Sequence, residues 1–142
     1  MKILITAGGT REYIDPVRYI TNASSGKMGY ALAQAAVKAG HSVVLISAPT
    51  NLKAPDNVQM INVLTSGEMF QAVKDNFGKC DCLIMAAAVS DYTPVKTSKA
   101  KLKKQPGTLT IELKPTCDIL KWAGPHKKDQ IVAGFALETE NL

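Results

Sequence analysis

The chain predicts a three-layer α/β fold with a mostly parallel sheet, on three observations. Apolar runs at Lys2–Ala7 (KILITA), Ser42–Ser47 (SVVLIS) and Cys80–Val89 (CDCLIMAAAV) read as strands buried on both faces. Segments of helical period lie between them, as parallel neighbours require. The first strand and first helix are joined by Gly8–Gly29, far longer than the roughly 2–6 residues usual at such a junction. With 142 residues, the whole chain, 1–142, is expected to form one domain with its own core.

The elements follow in order. Lys27–Ala39 is a helix with Met28, Ala31, Leu32, Ala35, Ala36 and Ala39 at helical spacing, stopped by Gly40. After the strand Ser42–Ser47, residues 48–57 are a Pro- and Asn-rich loop, and Val58–Leu64 is a third strand. Thr65-Ser66-Gly67-Glu68 has the form of a capping box. Met69, Val73 and Phe77 then make an apolar helical stripe, ended by Gly78. Cys80–Val89 is a wholly buried strand, with Cys80 and Cys82 on one face. Residues 94–107 read as a mobile, Lys-rich flap, and Thr108–Leu113 alternates as a strand does. Cys117–Ala123 is a short helix capped by Thr116, with Trp122 as its packing residue, and Gln130–Leu137 is a last buried strand. No helix follows it before Leu142, so the α/β series is expected to be C-terminally truncated.

Composition narrows the function. The net charge is +5, with 17 Lys and Arg against 12 Asp and Glu. Lys96, Lys99, Lys101, Lys103 and Lys104 crowd one stretch, and without them the charges balance. Basicity this local points to an anionic ligand rather than a nucleic-acid surface. No aromatic residue interleaves with the lysines, so a base-stacking platform is not evident. Three cysteines make no disulfide framework and no zinc set. There is no signal peptide and no run long enough for a membrane span, so the cytoplasm is expected.

The chemistry-bearing residues lie where strands end. Ser24-Ser25-Gly26 precedes the first helix, whose free N–H groups and dipole suit a phosphate. Gly8-Gly9-Thr10 lets backbone approach the same point. Arg11 and Arg18 offer planar forks for phosphate or carboxylate, or pair with Glu12 and Asp15. Asn22 is either a turn residue or a donor to a developing oxyanion. Ala86-Ala87-Ala88 leaves room beside a strand end for a flat ring or sugar, next to Asp91. The glycines do not follow the dinucleotide spacing, and the second strand ends without an acid for a ribose, which weakens an NAD(P)-dependent reductase as the alternative.

In order along the chain stand GGTRE-x-IDPVRYI-x-N-x-SSGKMG (Gly8–Gly29), AAAV-x-DY (Ala86–Tyr92), K-x-KK (Lys101–Lys104), Asp118–Leu120 and GFA-x-ET (Gly134–Thr139). This series resembles the phosphopantothenate–cysteine ligases of coenzyme A biosynthesis, over nearly the whole chain. The resemblance implies a Rossmann-like domain that joins 4′-phosphopantothenate to L-cysteine through an acyl-cytidylate. CTP (or ATP) would be the co-substrate, with Mg²⁺, in a homodimer associated with a flavin-dependent decarboxylase.

It also implies residue roles. Lys101 would serve the first half-reaction and Asn22 the second. Gly8, Gly9 and Thr10, with Ser24, Ser25, Gly26, Lys27 and Met28, would cradle phosphates. Ala86, Ala87, Asp91 and Lys104 would surround the nucleotide, together with Cys117, Asp118, Ile119, Leu120 and Phe135. Arg18, Asn22 and Ala88 would meet the acyl substrate. Thr116-Cys117-Asp118 stands where the family has Asn-Pro-Asp.

Overall fold

The buried runs assemble as their patterning demands. In the computed structural model, which describes residues 1–140, strands β1 (Lys2–Ala7), β4 (Ser42–Ser47), β5 (Val58–Asn62), β6 (Cys82–Met85) and β9 (Ile131–Gly134) form one sheet, ordered β5-β4-β1-β6-β9. All four pairings are parallel. Alternate residues of β1 face opposite layers. Ile3, Ile5 and Ala7 pack with Tyr30 and Ala33 of α1 (Lys27–Lys38), while Leu4 packs with α2 (Ser66–Phe77) and α3 (Ile119–His126). Each fully buried side chain such as Leu4, Ile5 or Leu45 stabilises the fold by about 1.5–3 kcal/mol through lost apolar hydration. The strand order reverses between β1 and β6, so their carboxyl ends open a crevice of the kind that takes ligands.

Two antiparallel hairpins sit outside this sheet: β2 (Arg11–Asp15) with β3 (Arg18–Thr21), and β7 (Tyr92–Pro94) with β8 (Leu113–Pro115). The first folds the long Gly8–Gly29 connection into a ribbon with a register shift between Tyr13 and Asp15. The second replaces the strand expected at Thr108–Leu113; only Leu113 of that stretch is in a ladder.

Other boundaries differ for local reasons. The strand expected over Cys80–Val89 is regular only over Cys82–Met85, because the Ala86–Ser90 backbone turns its hydrogen bonds to Gly8–Thr10 and to Thr6. Cys80 and Cys82 are both buried but lie in cores on opposite sides of the sheet, since the strand begins only at Cys82. Burial, together with neighbouring charge, pushes both thiols above their ordinary range. The last strand is an edge, not buried: Ile131 is 59% exposed and Phe135 55%.

Caps follow side-chain reach. At α2, Thr65 Oγ1 accepts the Glu68 N–H at 3.1 Å, while Glu68 Oε2 accepts the Leu64 N–H at 2.6 Å, one residue before the site a capping box uses. At α3 the cap is Asp118, which accepts the Lys121 N–H at 2.9 Å. Thr116 instead donates its hydroxyl to the Ser90 carbonyl at 2.7 Å. Among the described residues no helix is long and apolar enough to cross a membrane.

Candidate functional site

Three stretches of chain meet at the crevice between β1 and β6. After β1, Gly9 bridges Ala88 as if the sheet continued: the Ala88 N–H donates to the Gly8 carbonyl at 2.8 Å and the Thr10 N–H to the Ala88 carbonyl at 3.2 Å. Thr10, fully buried, accepts the Ser90 N–H at 2.9 Å through Oγ1. Beyond the β2–β3 hairpin, Thr21 Oγ1 donates to the Thr10 carbonyl at 2.7 Å, and Asn22 Nδ2 donates to the Val89 carbonyl at 3.3 Å. Gly8–Thr10, Asn22 and Ala86–Ser90 thus form one hydrogen-bonded unit. Thr6 extends it, accepting the Ala87 N–H at 3.2 Å through its hydroxyl.

Glycine permits the closeness. Gly8 has φ 79°, and a Cβ there would stand 2.7 Å from the Ala48 carbonyl oxygen. Gly26 has φ 75°; a Cβ there would sit 2.6 Å from Thr50 Cγ2 and 3.3 Å from the Gly8 nitrogen. Gly26, not Ser24 or Ser25, is the N-cap of α1, and no side chain caps the helix. Ser25 Oγ accepts the Lys27 N–H at 3.4 Å, so in the first turn of α1 it is the Met28 and Gly29 N–H groups that are left for a ligand or water. Ser24, Ser25 and Lys27 line a cavity of about 450 Å³ with Arg11 and Pro49–Leu52. The Arg11 guanidinium lies 4.5 Å over the Tyr19 ring, and Met28 is exposed beside this region.

On the other side of β6 lies a cavity of about 250 Å³. Ala87, Asp91, Cys117, Asp118, Ile119, Leu120 and Phe135 line it, which brings together most of the residues the sequence assigned to a nucleotide. Phe135 is held there by its N–H on the Met85 carbonyl at 3.1 Å. Thr116 joins the lining and ties the end of β8 to the crevice, its N–H donating to the Asp91 carbonyl at 2.8 Å. A Cβ at Gly134 would meet the terminal methyls of Leu120, so a side chain there would require Leu120 to turn within this wall. Ala86 and Ala88 flank this cavity along the chain without lining it.

Lys101 and Lys104 are exposed and line neither cavity. Their segment lies along the β2–β3 hairpin. The Ser98 N–H donates to the Ile14 carbonyl at 2.9 Å, and Thr97 Oγ1 to the Tyr13 carbonyl at 3.0 Å. Arg18 does not extend into open solvent: Nη2 donates to the Leu102 carbonyl at 2.7 Å and Nη1 lies 3.4 Å from Asp15 Oδ2. Burial pushes the Asp15 carboxyl upward. The N–H donors of Val17, Leu102 and Arg18, with the Arg18 charge, outweigh that and hold it below its ordinary 3.8. Glu12 makes no pair with an arginine. It is buried and accepts the Ser66 N–H at 2.8 Å, fixing the start of α2.

Sequence reasoning singled out neither Thr6 nor Ser90, and it gave Thr116 as a helix cap and Gly134 as part of the GFA-x-ET series rather than as wall residues of this cavity. A threonine inside the otherwise apolar KILITA was a usable signal, because a buried hydroxyl must find a partner. Among the described residues, no three His, Cys, Asp or Glu side chains stand close enough to hold a metal ion.

Known proteins share this arrangement. Residues 1–142 match the family model of the DNA/pantothenate metabolism flavoprotein C-terminal domain. The coenzyme A biosynthesis bifunctional protein CoaBC of Bacillus subtilis (strain 168) is 50% identical over 141 residues, 99% of this chain and 35% of that protein. A cysteine/cysteine sulfinic acid decarboxylase from an unknown prokaryotic organism is 45% identical over 142 residues, 99% of this chain and 40% of that protein. The solved C-terminal domain of a CoaBC protein superposes with a TM-score of 0.87 at 46% identity, covering 99% of this chain and 66% of that one. The chain therefore spans well under half the length of these curated relatives.

Proposed function

Because the chain belongs to the DNA/pantothenate metabolism flavoprotein C-terminal domain family, we propose that it carries the ligase chemistry joining 4′-phosphopantothenate to L-cysteine. The observation that carries this reading is the crevice. A phosphate-suited helix start, an oriented amide at Asn22 and a cavity lined by Asp91, Asp118 and Phe135 flank one strand-order reversal.

The reaction needs no protein nucleophile. The carboxylate of 4′-phosphopantothenate attacks the α-phosphorus of CTP, forming the acyl-cytidylate and releasing pyrophosphate. The cysteine amine then attacks the acyl carbon and CMP leaves. What the protein must supply is alignment of two anions and donors where charge develops. Gly8–Thr10 and Ser24–Met28 would let phosphates approach the backbone closely, with the Met28 N–H at the start of α1 as a donor, and Lys101 and Lys104 would neutralise charge on the triphosphate. Asn22 would turn its amide from the Val89 carbonyl to the acyl oxygen in the second step.

Magnesium would arrive on the triphosphate, as is usual for an ion that keeps phosphate oxygens and few carboxylates as ligands. Arg18 would help hold the acyl substrate through the guanidinium N–H groups it does not donate to Leu102. A homodimer, a flavin-dependent decarboxylase partner and a cytoplasmic setting complete the proposal.

The activity named for the decarboxylase relative belongs to a protein of which this chain matches 40%, and loss of a carboxyl group makes no use of a phosphate floor. The reductase alternative is not favoured, since β4 ends at Ser47-Ala48 with no acid for a ribose. The deciding measurement is pyrophosphate release from CTP or ATP with 4′-phosphopantothenate, by this chain and by a form extended to the length of the solved domain. Release with CTP that requires both substrates is expected. No release by the extended form with either nucleotide overturns the reading.

A further inference from the structure

We propose that Asp15 is a positioning residue for Lys101, fixing the lysine-bearing segment through the backbone of Leu102. The proposal rests on the ligase reading for what Lys101 does, but not for where Asp15 holds it.

Asp15 is fully buried, and an ionised carboxylate is retained in such a place only when its oxygens are satisfied. Its two oxygens do different work. Oδ1 accepts the N–H groups of Val17 at 2.9 Å and Arg18 at 2.8 Å, closing the turn between β2 and β3. Oδ2 faces away from the turn. It accepts the Leu102 N–H at 3.1 Å and lies 3.4 Å from Arg18 Nη1, while Arg18 Nη2 donates to the Leu102 carbonyl at 2.7 Å. Both main-chain polar groups of Leu102 are thus held by one ion pair from a hairpin more than 80 residues earlier in the chain.

Leu102 sits between Lys101 and Lys103, in a stretch between β7 and β8 with no ladder or helix of its own. The remaining ties of this stretch to the hairpin are made upstream, at Thr97 and Ser98. The Leu102 side chain is half-buried and shares with Ile14 the lining of a cavity of about 350 Å³. A turn alone could be closed by one neutral acceptor, as Asn or Ser does elsewhere. The second oxygen and its charge are accounted for by Leu102 and Arg18.

That division supplies the test. Asp15→Asn keeps an oxygen at Oδ1 for the turn and puts an amide nitrogen where Oδ2 accepted, so it cannot bind the Leu102 N–H or pair with Arg18. In D15N the Leu102 amide should exchange with solvent at least about tenfold faster, with Val17, Arg18 and β1 amides protected as before. Pyrophosphate release from CTP and 4′-phosphopantothenate should slow by about 10–100-fold at saturating substrate, as for a misplaced catalytic group. CMP release from supplied acyl-cytidylate with cysteine should stay within about twofold. Thr97→Val, which cuts a tie that does not touch Leu102, should leave both steps unchanged.

Equal slowing of both half-reactions, or a Leu102 amide as protected as in the parent, overturns the proposal. Should D15N fail to fold, replacing Leu102 by its α-hydroxy analogue exchanges only the N–H that Asp15 accepts for an ester oxygen and must reproduce the selective slowing; an unaffected first step again overturns it. A parent protein that releases no pyrophosphate sinks the ligase reading instead, and the exchange result then decides alone whether Asp15 fixes Leu102.

Discussion

Around Gly8, Gly26 and Gly29 the backbone is packed so tightly that one added carbon would collide with its neighbours, whereas the lysine-bearing stretch facing the β2–β3 hairpin hangs on a handful of hydrogen bonds around one buried carboxylate. The first region is fixed by steric exclusion, which does not respond to pH or salt. The second is fixed by charge and hydrogen bonding, which do.

The largest expected effect separates the two regions by reaction step. Asn22→Ala should slow acyl transfer to cysteine by about 10²–10³-fold, the usual cost of one oxyanion donor, and accumulate the acyl-nucleotide. Lys101→Gln should fail to form that intermediate. Rapid-quench separation of the intermediate checks both, and if the two variants stop at the same step the assignment of roles is wrong.

Next comes a steric break in the floor. A Cβ on Gly29 would lie 2.5 Å from Ala7 Cβ and 2.9 Å from the Thr6 carbonyl oxygen, so Gly29→Ala must push α1 off β1. A loss of about 1–3 kcal/mol, the range for overpacking, should appear as a lower urea midpoint with the slope unchanged. A midpoint equal to the parent's would mean that the floor yields more readily than its geometry implies.

Acid should act on the other region alone. The folded Asp15 carboxyl titrates below its ordinary 3.8, so the stabilisation it gives is fully present above about pH 4 and is lost as the pH falls through the folded value. The Leu102, Val17 and Arg18 amide resonances should therefore shift with a midpoint below 3.8, while those of Ile5 and Leu45 hold. A midpoint above 3.8 would contradict the proposed balance of forces.

The smallest effect is at Thr97, whose hydroxyl donates to the Tyr13 carbonyl at 3.0 Å from an exposed position. Thr97→Val should cost about 0.5–1.5 kcal/mol at most, read by thermal unfolding; a larger loss would show that the segment is held more cooperatively than its separate bonds suggest.

Legibility in the sequence divides along a similar line. β1 and β4 were readable to the residue, because a strand buried on both faces must be apolar throughout. The β2–β3 hairpin was not readable. Its first strand, REYID, carries charges that are buried by partners distant in the chain: Glu12 by Ser66, and Asp15 by Leu102. Cys80 and Cys82 went to opposite cores because alternation applies only inside a strand, and the strand begins at the second of them. In the site, the glycines, Asn22 and Asp91 stood out by residue type and place, and the Cys117–Leu120 turn by resemblance alone. The contacts of Thr116 with Ser90 and of Gly134 with Leu120 were not legible, since they join segments distant in the chain.

The sequence by itself determined the layers, the parallel sheet and which end of it would carry phosphate-suited backbone, because burial pattern and glycine placement are local properties of the chain. Only the tertiary structure decided that Arg18 is tied to Leu102, that Asp15 holds both, and that the cavity lined by Asp91 and Phe135 and the start of α1 lie on either side of the crevice. Those facts depend on which remote backbone groups arrive within 3 Å or so of a side chain, and no spacing along the chain encodes that.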